Sequence, residues 1–153
     1  MDAHRSLGFL LKDVTRLYTR RFEQRAASLS LTLQQCKALI YLEDHAGISQ
    51  KRLAELIEVD PMSLVRILDR MESDGWVERR PDPADRRARS LHLTERAAPI
   101  LRHIRELIQK TRAEALSGLD EQECRQLIGL LERVHRGLLE ALTREPLSAG
   151  GTP

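Results

Sequence analysis

The chain has 153 residues, 41% of them hydrophobic and 31% charged, enough for one substantial core; roughly 100–200 residues is the usual size of a domain. Its formal net charge of +2 is too small to imply nucleic acid by itself, so only the local placement of charge can carry that argument. Nothing approaches the roughly 18 apolar residues of a membrane span, and the early run LGFLL is broken at once by Lys12 and Asp13, so a signal peptide and a membrane segment are not expected and the cytoplasm is the expected compartment.

Leu7, Leu11, Val14, Tyr18 and Phe22 recur at helical spacing and predict a first helix over about residues 6–28. In SLTLQQ, Thr32 with Gln35 three places on makes a capping box that opens a second helix, running to about His45. Gly47 breaks it. Ser49 caps a short third helix carrying Leu53, Ala54 and Ile57.

After a turn at Glu58–Val59, DPMSLVRILDRMESDG carries clear start and stop signals. Asp60 caps, Pro61 takes the first helical position, and Gly75 supplies the left-handed closing residue. WVERR and RARSLHL then read as two strands joined by Pro81–Asp85. Thr94 is the expected cap of a long helix with Ala97, Ile100, Leu101, Ile104 and Ile108 on one face. Gly118 interrupts it, and Asp120 with Glu123 opens a last helix bearing Leu127, Leu131, Val134, Leu138 and Leu142. Residues 145–153, EPLSAGGTP, read as a disordered tail.

The expected order is α-α-α-α-β-β-α-α: mainly α with a small β-hairpin, a winged helix-turn-helix in one domain of 153 residues. Residues 30–94 form its central lobe, and the near-heptad stripes of helices 6–28 and 95–143 predict pairing between two copies.

Catalysis is not expected. The histidines (4, 45, 92, 103 and 135) are scattered, Cys36 and Cys124 match no metal-ligand or CxxC spacing, and no glycine-rich phosphate loop is present. No metal or cofactor is expected. Both cysteines read as structural, although Cys124 lies in the first turn of a helix, where N–H dipoles favour a thiolate.

Helices 49–57 and 61–73 have the spacing of a helix-turn-helix. On the second, Leu64, Ile67, Leu68 and Met71 share a core side, leaving Met62, Arg66, Asp69 and Ser73 outside. Met62, Ser63 and Arg66 occupy the first turn and a half, the part of a recognition helix that meets base edges. Arginine can donate two hydrogen bonds to one guanine, and methionine can lie against a thymine methyl.

The following stretch, DPADRRARSLHLT, crowds Arg86, Arg87 and Arg89 near a hairpin tip. Like charges repel unless an anion lies between them, and the narrow minor groove is such an anion. Asp85 is expected to hold Arg86 or Arg87 in one rotamer. Residues 49–94 are neutral in sum. Lys51, Arg52, Arg66, Arg70, Arg79, Arg80, Arg86, Arg87 and Arg89 face Glu55, Glu58, Asp60, Asp69, Glu72, Asp74, Glu78, Asp82 and Asp85. Binding must therefore depend on where the charges sit.

The stretch SQKRLAELIEVDPMSLVRILDRMESDGWVERRPDPADRRARSLHLTERA resembles the winged helix-turn-helix core of the MarR family of bacterial transcriptional regulators. PMSLVRILDRME, DRRAR and LTERAAP are similar to its SlyA branch in particular. Trp76 stands where leucine or isoleucine is usual, and a larger apolar side chain there would fill the seam under the wing.

The resemblance implies a homodimer on double-stranded DNA at a pseudo-palindromic operator, with an aromatic or phenolic anion as releasing effector. The resemblance carries Pro61, Ser63 and Arg66 over to the major groove, and Ser49, Met62 and Arg70 are further candidates to face DNA from the helix-turn-helix. It carries Asp85, Arg86 and Arg87 over to the wing, with Arg89 as a further candidate. Arg16, Tyr18 and Cys36 are candidates to line an effector cleft where the terminal helices meet the central lobe. The competing expectation is a dimeric ligand-binding or protein-interaction module without DNA binding, against which Arg66 and the intact DRRAR argue.

Overall fold

The computed structural model describes residues 6–144. The expected disordered tail, 145–153, lies outside the described residues, as do residues 1–5. The chain falls into two compact units, one ending at Arg112 and one beginning at Ala113.

The first unit opens with helix α1, Leu7–Ala26, prolonged by a 3-10 turn over Ala27–Leu29. Helix α2, Leu33–Asp44, starts as the sequence predicts: Thr32 accepts the Gln35 N–H at 3.2 Å and the Gln35 side chain accepts the Thr32 N–H at 2.9 Å. Strand β1 is Ile48–Ser49, and Ser49 also caps helix α3, Gln50–Ile57, by accepting the Arg52 N–H at 3.1 Å. Helix α4 is Pro61–Ser73, its N-terminus held by Asp60. Between α3 and α4 the chain turns through Glu58 in the left-handed conformation (φ 57°), uncommon for a residue with a Cβ.

Strands β2, Val77–Pro81, and β3, Arg89–Leu93, form the wing. The expected hairpin is in fact part of a three-stranded antiparallel sheet in the order β1-β3-β2. Ile48 pairs with Leu91 and Ser49 with Ser90, a partnership across some forty residues that a two-residue strand cannot announce by alternation. Pro81, expected in the turn, closes β2 opposite Arg89. Because β2 is an edge strand, a residue without an N–H is tolerated there.

Thr94 does not cap the next helix. Its hydroxyl donates instead to the Gly75 carbonyl, and its N–H reaches Trp76 O at 2.9 Å. Pro99 has no N–H to give to the Glu95 carbonyl four residues back. That carbonyl accepts from Ala98 instead, so Glu95–Ala97 form a 3-10 turn and helix α5 begins at Ala98, running to Ala115.

The core of this unit gathers Phe22 and Ala26 of α1, Leu39 and Leu42 of α2, Leu53 and Ile57 of α3, Leu64, Leu68 and Met71 of α4, Leu91 of β3, and Leu101 and Ile104 of α5. Trp76 packs on its edge, as expected for the seam under the wing. Gly75 has φ 79°, a left-handed conformation that favours glycine, and a Cβ there would have to displace the Arg96 guanidinium, 2.9 Å away.

The second unit contains the end of α5 and helix α6, Glu121–Arg144. Asp120 and Glu123 form the expected reciprocal cap, each accepting the other's N–H at 2.8 Å. None of the α6 residues is buried. The expected stripe of Leu127, Leu131, Val134, Leu138 and Leu142 is exposed along its whole length. On α1, Leu7, Phe9, Leu10, Val14 and Leu17 are exposed as well.

Candidate functional site

Helix α4 buries Leu64, Leu68 and Met71, and that choice of face puts Met62 and Arg66 in solvent; Met62 is 70% exposed. Pro61 fits the first turn because its missing N–H has no helical partner to lose. Asp60 Oδ1 accepts the Ser63 N–H at 2.9 Å, and the Ser63 hydroxyl donates to Asp60 Oδ2 at 2.5 Å. These donors, with the N–H groups of Asp60 and Met62, hold the Asp60 carboxyl below its ordinary range. The Ser63 hydroxyl is thus already engaged locally. Arg70, one turn beyond Arg66, lies 3.4 Å from Asp74.

The wing turn spans residues 82–88 and is built by two aspartates. Asp82 Oδ1 accepts the Ala84 N–H at 2.8 Å, and Asp85 Oδ1 accepts the Arg87 N–H at 2.9 Å. The expectation that Asp85 grips an arginine side chain is therefore corrected: its carboxylate orders the backbone beneath Arg86 and Arg87. The sequence could not separate these options, because an aspartate two residues before an N–H closes an Asx turn as readily as it pairs with a guanidinium. Arg86, Arg87 and Arg89 are all exposed.

The neutral sum over residues 49–94 conceals a separation of charge. Arg52 pairs with Glu55, Arg79 with Asp69 and Glu72, Arg80 with Glu78, and Arg70 with Asp74. Asp60, Asp82 and Asp85 are turned onto backbone N–H groups. Lys51, Arg66, Arg86, Arg87 and Arg89 are left without a carboxylate partner among the described residues. A polyanion would meet the exposed face of α4 and the wing tip as its cationic points.

A separate cleft of about 260 Å³ lies within the first unit, between α1, α2 and α5. Its apolar wall is Phe22, Leu33, Ile40, Ile104 and Ile108, and its polar groups are Tyr18, Thr19, Cys36, Lys37 and Tyr41. Tyr18 and Cys36 both line this cleft. Arg16 does not: it points elsewhere and pairs with Asp13 at 2.7 Å, because residues two apart on a helix face different ways. The cation of the cleft is Lys37. Leu33, Cys36, Lys37, Ile40 and Tyr41 share one helical face, and that spacing is the signal in the sequence that points to it. Burial pushes the Cys36 thiol up to about 11, with its own backbone N–H pulling the other way, so it is an unreactive apolar group. Cys124, in α6, donates weakly to Leu119 O at 4.0 Å.

Among the described residues no helix is long and apolar enough to cross a membrane. The helix pair α3–α4, followed by the β2–β3 wing of a three-stranded sheet, defines a winged helix-turn-helix protein. Residues 31–88 match the MarR family. The apo form of wild-type MarR from E. coli is similar at 32% identity and a TM-score of 0.78, over 84% of this chain and 96% of that one. A mutant MarR from E. coli complexed with operator DNA matches at 32% identity and a TM-score of 0.72, over 88% and 99% of the two chains. A probable transcriptional regulator from Pseudomonas aeruginosa matches at 26% identity and 0.70, over 85% and 97%. This chain belongs to the MarR family, whose proteins are transcriptional regulators rather than enzymes.

Proposed function

We propose that this protein is a cytoplasmic, sequence-specific DNA-binding transcriptional regulator that works as a homodimer on a pseudo-palindromic operator, within the SlyA-like branch of its family. The observation that carries the reading is the charge separation: over residues 49–94 every carboxylate but Glu58 is engaged in a pair or a turn, while Arg66 and the wing-tip arginines stay free. Arg66 and Met62 read base edges from the first turns of α4, with Pro61 and Ser63 setting its entry. Ser49 and Arg70 serve the adjoining phosphates. Arg86, Arg87 and Arg89 enter the minor groove, on a turn shaped by Asp85. MarR bound to operator DNA is a relative of this chain at 32% identity, which supports the reading.

Apolar side chains exposed along α6 and along α1 support the homodimer, since a folded chain rarely leaves such stripes uncovered. The effector is a small aromatic or phenolic anion. Lys37 offers it a counter-charge in an otherwise apolar cleft, with Tyr18 and Cys36 beside it. The test of the whole reading is a salt titration of binding to duplex DNA from upstream of the protein's own gene, against a scrambled duplex. Tight, salt-dependent binding with preference for the upstream duplex is expected; equal binding to both, or none, overturns it.

A further inference from the structure

Arg79 donates to Glu72, Asp69 and the Val65 carbonyl, and the functional reading above counts its ion pairs without giving the residue a role of its own in recognition. It stands on β2, is 21% exposed, and reaches back to helix α4. Its Nη1 donates to Glu72 Oε2 at 2.9 Å; its Nη2 donates to Asp69 Oδ1 at 2.7 Å and to the Val65 carbonyl at 3.2 Å. Val65, Asp69 and Glu72 form one stripe along α4, at spacings of four and three. The guanidinium lies along that stripe and joins wing to helix at three points. Only arginine can do this, because its donors form a rigid fork; lysine offers a single point of charge. The Nε is buried without an acceptor, so the site is shaped around the fork's two outer nitrogens and not around the whole group.

Asp69 and Glu72 matter because of where they sit. Asp69 lies three residues beyond Arg66, and both are exposed on α4. Left alone, these carboxylates would oppose a phosphate backbone approaching that face, and like charges brought together at an interface are strongly unfavourable. Both carboxylates remain substantially exposed, with side-chain exposures of 60% and 46%. Exposed ion pairs contribute little to folding stability. Stability therefore gives a weak account of this network, and a stronger one is charge placement.

We propose that Arg79 is a positioning residue for DNA recognition: it masks Asp69 and Glu72 on the recognition helix and sets the wing strand against that helix, without touching DNA. The inference rests on the DNA-binding reading above. Removing Arg79 exposes two carboxylates to phosphate, and removing those carboxylates as well cancels the defect.

The experiment measures binding of fluorescent duplex from upstream of the gene, over a range of salt, for wild type, Arg79→Gln, and Arg79→Gln with Asp69→Asn and Glu72→Gln. A charge-matched control combines Arg79→Gln with Glu23→Gln and Glu106→Gln, which lie on α1 and α5. Arg79→Gln should weaken binding by about tenfold or more at low salt, and the triple variant should return to within about twofold of wild type. The control should stay weak. A fourth variant, Asp69→Asn with Glu72→Gln and Arg79 kept, should bind at least as tightly as wild type, and it tests the idea even if Arg79→Gln folds poorly. Arg79→Gln binding like wild type overturns the proposal. So does a triple variant as weak as Arg79→Gln, which would make Arg79 itself a DNA contact, or a control that recovers equally, which would reduce the effect to net charge. Wild type that binds no duplex removes the DNA-binding reading together with this one, whereas wild-type binding with any of the other failures removes this one alone.

Discussion

Asp85 holds the backbone of Arg87, not its side chain: the carboxylate oxygen accepts the Arg87 N–H at 2.9 Å. The wing tip is thus a turn ordered from within, and the guanidinium groups of Arg86 and Arg87 are free to meet an anion. Replacing both with alanine should make the logarithmic salt slope of DNA binding shallower by up to about 0.9 for each lost phosphate contact. Asp85→Ala should loosen the turn and raise the entropy lost on docking, yet leave that slope nearly unchanged, because no cation is removed. Parallel slopes for wild type and the double arginine variant would reduce the wing to a solvated turn.

Arg66 should behave differently from the wing. Its exposure follows from the burial of Leu64 and Leu68 on the other side of α4, so an alanine there leaves the fold intact. Loss of a bidentate contact to a base edge should cost about 1–3 kcal/mol of specific binding. Binding to a scrambled duplex should scarcely change. Equal losses on both duplexes would make Arg66 a phosphate contact.

The sequence displayed the helical frame clearly because its signals are local. Thr32 with Gln35, Asp60 with Pro61, and Asp120 with Glu123 each lie within one turn, and each forms the cap its spacing predicts. What it hid is long-range. Ile48–Ser49 becomes a strand only because Leu91 and Ser90 come to lie beside it. The Thr94 hydroxyl, expected as a cap, is taken by the Gly75 carbonyl 19 residues away. The grip of Arg79 on Asp69 and Glu72 crosses from strand to helix, so no spacing reveals it. The helical period puts Met62 and Arg66 on the exposed side of α4, and the same period turns Arg16 away from Tyr18 and onto Asp13.

The N-cap of the recognition helix carries a pH dependence. Asp60 is held below its ordinary pKa of 3.8, chiefly by the Ser63 hydroxyl and then by the N–H groups of Ser63 and its neighbours. A depressed carboxyl contributes stability that is fully present above the ordinary value and is lost as pH falls through the lower, folded value. The group is solvent-exposed, so the effect is small and only its direction is predicted. Asp60→Asn can still cap but cannot titrate. Melting temperatures of the two proteins should differ most above 3.8 and converge in more acidic solution. A constant difference across that range would remove the charge of Asp60 from the account.

The exposed stripe of α6 predicts the consequence of losing the partner. Leu131→Glu with Leu138→Glu places two charges on a surface that is already exposed in the single chain, so the first unit should melt as before. In a dimer the same charges would be buried and unpaired, and sedimentation should show a monomer. Two recognition helices about 34–36 Å apart meet half-sites about 10–10.5 bp apart. The monomer should therefore lose about 10²- to 10⁴-fold in affinity for the full operator, the gain that linkage of two sites provides. A monomer that protects a whole palindrome from cleavage would separate α6 from dimerisation.

The cleft can be linked to the helix-turn-helix through α2, which serves both. Lys37, Ile40 and Tyr41 line the cleft, while Leu39 and Leu42 are buried in the core that α3 and α4 share. An anion seated against Lys37 would fix α2 and, through those leucines, the inclination of α4. Salicylate should raise the melting temperature, with a stabilisation of about 2.7 kcal/mol at a hundred times its Kd. Linkage then requires that operator binding weaken by the same factor by which DNA weakens salicylate. Lys37→Met should abolish both effects, since it removes the counter-charge and keeps the apolar stem. Arg16→Ala should abolish neither, because Arg16 spends its charge on Asp13 outside the cleft. Calorimetry with and without operator duplex decides the matter. Salicylate that binds wild type and Lys37→Met alike, or binds without changing operator affinity, would leave the cleft as packing space and not a regulatory site.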